Sequence, residues 1–284
     1  MITTLLLSTL RMSTPLLFAA LGGLCSERAG IINIALEGFL LVGAFAGAVV
    51  TLMTGSPWLG FMAAAMAGAL YGLLYGIFVI SLRANQIVVA TAMNFFAMGT
   101  IPFALKILYD STGASPAIPF ESRFQIFPLW FAWIAVVIVW YVIRRLPVGL
   151  WLSFAGENPE ALATAGISVR RVRYASLFVS GLLTGMGGAC LSIYLASGYS
   201  RNMAAGRGFM ALAAVIFGSW KPIPTALACL FFGFMEAVQI QLQAAQVGGI
   251  PSQFIQMLPY LATILVLAGF VGKSRAPKAI GIPY

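Results

Sequence analysis

The feature that most constrains this chain is a series of apolar runs, each about as long as a lipid bilayer is thick. A membrane-spanning helix needs about 20 mostly apolar residues, because the hydrocarbon core is about 30 Å thick. Runs of this kind lie at 2–25, 30–54, 58–82, 87–108, 127–146, 174–198, 206–220, 222–246 and 254–272. A membrane β-barrel would instead show alternating segments of about ten residues. The runs therefore predict an all-α, polytopic bundle with about 8–10 spans.

Two of these runs are poor candidates for a full span. The run at 2–25 carries Arg11 and several hydroxyl side chains, and the run at 206–220 has only about 15 residues, fewer than the usual span. Either run could form a half-helix that does not cross the bilayer.

Composition supports the membrane reading. Of the 284 residues, 61% are hydrophobic and 8% are charged, whereas soluble domains have roughly 25% charged residues. A soluble protein of this length could not cover its surface with so few polar side chains.

The net charge of +9 indicates how the chain is oriented in the membrane and does not indicate nucleic-acid binding. The basic residues do not form one patch but close the apolar runs, where the positive-inside rule places them. They include Arg83, Arg144, Arg145, Arg170, Arg171, Arg173, Lys221, Lys273, Arg275 and Lys278. We therefore expect 147–173 and the C-terminus in the cytoplasm, the 109–126 loop outside, and lipid but no nucleic acid as a partner.

Residues for catalysis or metal binding are scarce. The chain has no histidine, and Cys25, Cys190 and Cys229 lie in apolar or glycine-rich surroundings without metal-ligand spacing. The cysteines are expected to pack as small buried hydrophobes. We expect no metal, no cofactor and no enzymatic activity. The N-terminus has no basic start or clear cleavage site, so we expect it to be retained.

An internal repeat is suggested by two short matches. Glu37-Gly38-Phe39 is similar to Arg207-Gly208-Phe209, and each is preceded by a Gly-Gly pair, at 22–23 and 187–188. Inverted repeats are typical of transporters. We therefore predict one transmembrane domain over 1–284, with a first repeat at about 2–108, a linking span at 127–146, a cytoplasmic segment at 147–173 and a second repeat at about 174–272.

Gly68, Gly72 and Gly76 recur every four residues along the 58–82 span. Small residues at this spacing let two helices approach closely. Packing inside the bundle is the favoured interpretation, and an intersubunit face is the alternative.

The cytoplasmic segment contains a short, well-delimited helix over 158–166. Asn158 is an N-cap, Pro159 suits the first helical position, Glu160 lies near the positive helix end and Gly166 provides the left-handed stop. Ser168 can cap the following helix. Such a rigid element suits the docking of a soluble partner, although an ordinary capped connector would have the same pattern.

At this segment the chain resembles a known family. The run GENPEALATAGI (156–167), together with 18–45 and 206–238, is similar to permeases of ABC importers of the branched-chain amino acid/ribose type. The run SERAGIINIALEG (26–38) most resembles the shorter permease of nucleoside importers that use a basic-membrane-protein-type lipoprotein. The older Glu-Ala-Ala consensus is met only in part, by Glu160-Ala161-Leu162 with Gly166.

This resemblance implies a role and a set of partners. The role is the permease subunit of a bacterial plasma-membrane importer, in a heterodimer with a second, homologous permease and served by an extracytoplasmic lipoprotein. The 158–166 helix would dock on a separate ABC ATPase subunit. The coupling residues would be Glu157, Asn158, Pro159, Glu160, Ala161, Ala165 and Gly166. ATP hydrolysis would belong to that partner, since this chain has no GxxxxGK[ST] motif.

Polar side chains inside the apolar runs are candidates for the substrate pathway, because buried polar groups in membranes face a bundle interior or a cavity. They are Asn33, Glu37, Asn94, Glu236, Gln239 and Gln243. Glu236, Gln239 and Gln243 share a helical face. Bonding between helices, or contact with the second permease, would explain the same residues. Glu27 and Arg28 stand at a helix break, where they could pair with each other.

Two alternatives remain open at the level of sequence. One is a secondary transporter driven by an ion gradient, with Glu37 or Glu236 as the ion site. The other is an ABC permease whose substrate is a sugar or a branched-chain amino acid.

Overall fold

The computed structural model describes residues 2–244, 255–259, 261–262, 264 and 276–284. The described part folds as a helical bundle without strands. Its helices are α1 (Ile2–Arg28), α2 (Leu36–Thr54), α3 (Pro57–Gly76), α4 (Gln86–Tyr109), α5 (Phe127–Arg145), α6 (Pro147–Glu157), α7 (Pro159–Thr164), α8 (Val169–Ala189), α9 (Arg207–Phe217) and α10 (Pro222–Ala244). The π-helical turns Ile77–Ser81 and Cys190–Leu195 extend α3 and α8.

Within the described ranges, 7 helices are long and apolar enough to cross a membrane. They are α1, α2, α3, α4, α5, α8 and α10, with their flanking turns. The predicted all-α, polytopic class is therefore confirmed. Most of the predicted span at 254–272 lies outside the described residues.

The two doubtful spans have different outcomes. The first is a full helix, because α1 continues to Arg28, three residues beyond the predicted end. The run at 206–220 is short, because α9 has 11 residues and is about 16 Å long at 1.5 Å per residue. The half-helix interpretation was therefore wrong for the N-terminal run, while α9 has the length of a half-helix.

The core of the bundle is an antiparallel contact between α3 and α8 through glycine. A Cβ built on Gly68 would lie 2.2 Å from the Gly181 carbonyl oxygen, and one on Gly72 would lie 2.5 Å from the Leu177 carbonyl oxygen. Gly76 faces the Tyr174 ring in the same row. The predicted packing of this glycine face inside the bundle is confirmed.

The ends of the bundle are distinguished by α7. The α7 end, as we call it, holds the α6–α7 region, the last residues of α1 and the first of α8, and residues 276–284. There Ala279 N–H donates to the Gly156 carbonyl. At the opposite end, the 110–126 loop meets the segment after α8: Ser115 N–H donates to the Tyr199 carbonyl over 2.9 Å.

Between α1 and α2 the chain is irregular over residues 29–35. Irregular backbone inside a membrane bundle needs internal hydrogen-bond partners, and side chains of α3 and α4 provide them. Ile32 N–H donates to Gln86 Oε1 over 2.8 Å, and the Tyr75 hydroxyl donates to the Ile32 carbonyl over 2.7 Å. The predicted span at 30–54 therefore begins as a helix only at Leu36.

Candidate functional site

The N-termini of α2 and α9 meet inside the bundle. From this meeting point α2 runs towards the opposite end and α9 runs towards the α7 end. The Glu37 carboxylate, in the first turn of α2, accepts hydrogen bonds from Gly206 N–H (2.8 Å) and Gly208 N–H (2.7 Å) at the start of α9. We call Glu37, Asn94, Arg207, Gly208 and Glu236 the junction.

Electrostatics explains why a carboxylate lies at this point. The first N–H groups of a helix have no intrahelical acceptor, and the macrodipole gives this end a partial positive charge. Two such ends repel each other unless an acceptor or an anion separates them. Glu37 supplies the anion, and it is only 4% exposed.

Asn94 satisfies the start of α2 in a complementary way. Its Oδ1 accepts from Gly38 N–H over 2.8 Å, and its Nδ2 donates to the Ile34 carbonyl over 3.1 Å. One side chain of α4 therefore fixes both the irregular segment and the first turn of α2.

Glycine is required where α9 meets α2. A Cβ on Gly208 would lie 2.3 Å from Glu37 N and 2.5 Å from Glu37 Cα, distances that no packed side chain tolerates. Because its neighbours there are backbone atoms, even alanine would force the two helices apart.

An ion pair between a half-buried arginine and a buried glutamate completes the junction. Arg207 Nε lies 3.2 Å from Glu236 Oε1, and Arg207 Nη1 donates to the Met203 carbonyl over 3.1 Å. The second carboxylate oxygen of Glu236 is buried without a hydrogen-bond partner. The junction thus holds two carboxylates and one guanidinium, together with two helix N-termini.

The structure brings together three of the six predicted pathway residues, namely Glu37, Asn94 and Glu236. Asn33 is buried nearer the α7 end, where its Nδ2 donates to Ser180 Oγ over 3.0 Å. Gln239 and Gln243 lie half-buried further along α10, towards the opposite end. Contact of any of these six with a substrate stays a prediction.

Arg207 is the residue that sequence reasoning did not select for the pathway. A usable signal was present, because the repeat alignment places Arg207 at the position of Glu37. The structure sets these aligned positions against each other at the junction.

The predicted capped helix is present as α7. Asn158 Oδ1 accepts from Ala161 N–H over 3.1 Å, and Pro159 occupies the first turn. Gly166 adopts φ +80° after the helix, and Ser168 Oγ caps α8 by accepting from Arg171 N–H. The local pattern therefore predicted the capping correctly. It did not predict α6, which precedes α7 as a separate helix.

α7 is held by a single buried side chain and is otherwise accessible. Leu162 is 3% exposed and packs with Ala155 and Val169. The predicted coupling residues Glu157, Asn158, Glu160, Ala161, Ala165 and Gly166 are exposed, and Pro159 is half-buried. α7 and the last residue of α6 therefore present short side chains and two carboxylates at one end of the bundle.

Glu27 and Arg28 lie on the α7 side of the junction, and the pairing suggested for them is wrong. Both instead bind Trp220, just after α9: Glu27 Oε2 accepts from Trp220 Nε1 over 2.6 Å, and Arg28 Nη1 donates to the Trp220 carbonyl over 3.3 Å. Arg28 Nη2 also donates to Ser153 Oγ on α6 over 2.7 Å. The pairing failed because consecutive helical residues point in different directions.

Among the described residues, cavities of about 160, 480 and 740 Å³ lie away from the junction, towards the α7 end. The cysteines Cys25, Cys190 and Cys229 are buried and form no disulfide. No cluster of three or more metal-ligating His, Cys, Asp or Glu occurs in the part of the chain that the structure describes.

Comparison with known proteins decides the family. The model of the branched-chain amino acid transport system permease component matches residues 5–271. The chain belongs to this permease family. The resemblance predicted from the coupling segment is therefore confirmed for nearly the whole chain.

Individual members of the permease family match over almost their full length. The chain is 37% identical to the nucleoside ABC transporter permease protein NupC of Lactococcus lactis, covering 96% of this chain and 93% of the relative. It is 36% identical to the guanosine ABC transporter permease protein NupQ of Bacillus subtilis, covering 98% and 95%. A putative glucose ABC transporter permease protein of Haloferax volcanii, TsgC13, is 32% identical, covering 96% and 93%. No solved structure matches the chain.

Proposed function

We propose that this permease is a transmembrane subunit of an ATP-binding-cassette importer that carries nucleosides across a bacterial plasma membrane. The observation that carries the proposal is the full-length similarity to two permeases named for nucleoside and guanosine transport. A sugar is the alternative substrate, because one relative is named for glucose transport. It ranks second because that relative is less similar to the chain than the two nucleoside permeases are.

The proposed partners follow from the accessible surfaces and from family membership. α7 docks on an ABC ATPase subunit, which carries out ATP hydrolysis, so this chain itself is not an enzyme. A second, homologous permease supplies the other wall of the pathway, and a lipoprotein delivers the substrate.

The proposed orientation places the α7 end in the cytoplasm. Arg83, Arg144, Arg145, Arg170, Arg171, Lys221 and Lys278 all lie at that end. Cytoplasmic loops are rich in Lys and Arg, so this clustering supports a cytoplasmic α7 and C-terminus and an external N-terminus.

We also propose that the two halves are an inverted repeat. α1 and α8 are antiparallel, with a Cβ on Gly22 lying 2.4 Å from Thr184 Oγ1 and one on Gly187 lying 2.9 Å from the Pro15 carbonyl oxygen. α2 follows α1 and α9 follows α8 along the chain, and α2 and α9 run in opposite directions. In such folds the substrate site lies where the repeats meet, so we expect the junction to lie beside the pathway.

Uptake by a reconstituted importer tests the function. The permease, its partner permease, the ATPase and the lipoprotein are reconstituted in liposomes, and uptake of labelled guanosine, uridine, glucose and leucine is compared. We expect ATP-dependent uptake of the nucleosides that persists in the presence of a protonophore. Glucose or leucine uptake would reassign the substrate. Uptake that needs no ATPase and stops with a protonophore would support a secondary transporter instead.

Glu160→Trp tests docking at α7. Because Glu160 is exposed on α7, a bulky side chain should block the ATPase surface without disturbing the bundle. We expect the variant to insert normally, to lose co-purification with the ATPase and to lose at least 90% of uptake (roughly 1.4 kcal/mol or more of coupling).

Glu121→Trp is the matched control, because Glu121 is an exposed glutamate at the opposite end. It should retain the ATPase. Normal uptake and ATPase binding by Glu160→Trp would show that α7 is not the docking element.

A further inference from the structure

Arg173 is a buried charge that joins three separate parts of the chain. It is 2% exposed and lies in the first turns of α8. Its Nε donates to the Ala29 carbonyl over 3.1 Å, its Nη1 to the Ile282 carbonyl over 2.9 Å and its Nη2 to the Ala155 carbonyl over 3.4 Å. The planar guanidinium fork fits three fixed acceptors in this way, whereas a lysine ammonium is a compact point charge.

The segment 276–284 reinforces the same meeting point. Ala279 N–H donates to the Gly156 carbonyl over 2.8 Å, and Gly281 N–H donates to the Gly30 carbonyl over 3.0 Å. Ala279 is 6% exposed. One short segment is therefore hydrogen-bonded both to the last turn of α6 and to the segment that follows α1.

The segment after α1 and the end of α6 are packed too closely at this point to move independently of each other. A Cβ on Gly30 would lie 2.9 Å from Arg173 Nη2 and 3.0 Å from the Ala279 carbonyl oxygen. One on Gly156 would lie 2.3 Å from the Arg28 carbonyl oxygen. The end of α1 and the end of α6 therefore touch through backbone atoms, with Arg173 and Ala279 packed around them.

From this point the chain leads directly to the junction. Residues 29–35 connect Arg28 to α2, whose first turn carries Glu37. The end of α9 is attached as well, through the contacts of Glu27 and Arg28 with Trp220. Both helices that meet at the junction are thus fastened, at their α7 side, to the residues around Arg173.

We propose that Arg173 and the segment 276–284 form a brace that transmits movement of α7 to the junction. The brace consists of Arg173, Ala279, Gly281 and the carbonyls of Ala29, Gly30, Ala155, Gly156 and Ile282. Displacement of α7 moves α6, and the brace carries that displacement to residues 29–35 and hence to α2. This role rests on the proposed importer function and makes Arg173 a positioning residue.

The test separates ATP hydrolysis from transport. Arg173→Lys keeps the charge, but its single ammonium nitrogen cannot take the positions of the three guanidinium nitrogens that bind three separate carbonyls. A chain ended after Ile280 loses both Gly281 and Ile282. Each variant is assembled with its partner subunits in liposomes, and nucleoside uptake and ATP hydrolysis are measured together. We expect uptake to fall at least tenfold, while ATPase co-purification and hydrolysis stay within twofold of the unsubstituted complex.

Lys278→Ala is the control, because Lys278 is exposed in the same segment and the brace contacts are made by other residues. It should preserve the uptake per ATP of the unsubstituted complex. If Arg173→Lys is not recovered as a folded chain, the shortened chain decides. The brace is refuted if uptake per ATP is unchanged, or if uptake and hydrolysis fall in proportion. Absence of uptake by the unsubstituted complex would instead refute the proposed function.

Discussion

Glu37 is the residue on which the meeting of two helix ends depends. Its two carboxylate oxygens accept from two different N–H groups of α9, and removal of a buried acceptor leaves each donor unsatisfied at a cost of about 1–3 kcal/mol. The same side chain offsets the positive ends of α2 and α9. It therefore contributes more to the fold than a single polar side chain usually does.

Glu37→Ala should lower the free energy of unfolding by about 2–5 kcal/mol, because two buried donors lose their acceptor. Glu37→Gln should cost less, since its amide oxygen can still accept one of the two bonds. The measurement is the midpoint of thermal unfolding in detergent, with a fall of several degrees expected for the alanine variant. Glu121→Ala is the control, and we expect it to change stability by less than about 0.5 kcal/mol. Equal midpoints for Glu37→Ala and Glu121→Ala would contradict this role.

At this scale the sequence predicted the acids and amides of the junction but not their partners. Glu37, Asn94 and Glu236 stand out because each interrupts an apolar run. The acceptors and donors that they meet are mostly backbone groups, such as Gly38 N–H and Gly208 N–H, which leave no trace in side-chain identity. Arg207 was missed because it stands at the edge of its run, where arginine is ordinary.

At the scale of elements, α3 and α8 form a contact in which backbone meets backbone. A Cβ on Gly68 would lie 2.8 Å from Gly185 Cα as well as 2.2 Å from the Gly181 carbonyl oxygen. Gly99 on α4 has no atom within 4 Å of its Cβ position. Replacement of each glycine by alanine therefore compares a methyl group placed against packed backbone, at Gly68, with one placed in open space, at Gly99.

Gly68→Ala should destabilise the bundle by about 1–3 kcal/mol, because an added methyl group forces two packed helices apart. Gly99→Ala should be neutral or stabilising by up to about 1 kcal/mol, since alanine is the better helix former. Unfolding midpoints of the two variants, measured side by side in detergent, provide the comparison. A Gly68→Ala variant as stable as Gly99→Ala would mean that the α3–α8 contact is looser than described.

Elements were predicted well where length and apolar character decide them, as in α3, α4 and α5. The predictions failed where tertiary contacts decide. The start of α2 shifts to Leu36 because Gln86 and Tyr75 stabilise an irregular segment. α8 begins at Val169, as the Ser168 cap predicted, but the burial of Arg173 was not predicted, because its three acceptors are backbone carbonyls from distant parts of the chain.

At the scale of the whole molecule, the two ends of the bundle differ in their number of basic residues and in the loops that they expose. Basic residues gather at the α7 end, while the 110–126 loop lies at the other. Because the native cysteines Cys25, Cys190 and Cys229 are buried and unpaired, they should react slowly with a polar maleimide. Single cysteines can therefore be introduced for labelling without first removing the native ones.

Lys278→Cys and Thr164→Cys should react with a membrane-impermeant maleimide only after the cells are opened. Glu121→Cys should react in intact spheroplasts, because the positive-inside rule places its loop outside. All three positions are exposed. The unaltered chain is the control and should remain unlabelled in both conditions. Labelling of Lys278→Cys in intact spheroplasts would reverse the proposed orientation.

The junction also has a consequence for the order in which the protein is made. Glu37 leaves the ribosome about 170 residues before Gly208, and α9 is too short to insert as a span by itself. Until α9 arrives, the Glu37 carboxylate faces the membrane interior without its two donors. A chain truncated before α9 therefore keeps a buried acid without its two donors, and we expect it to be less stable than a chain that includes α9.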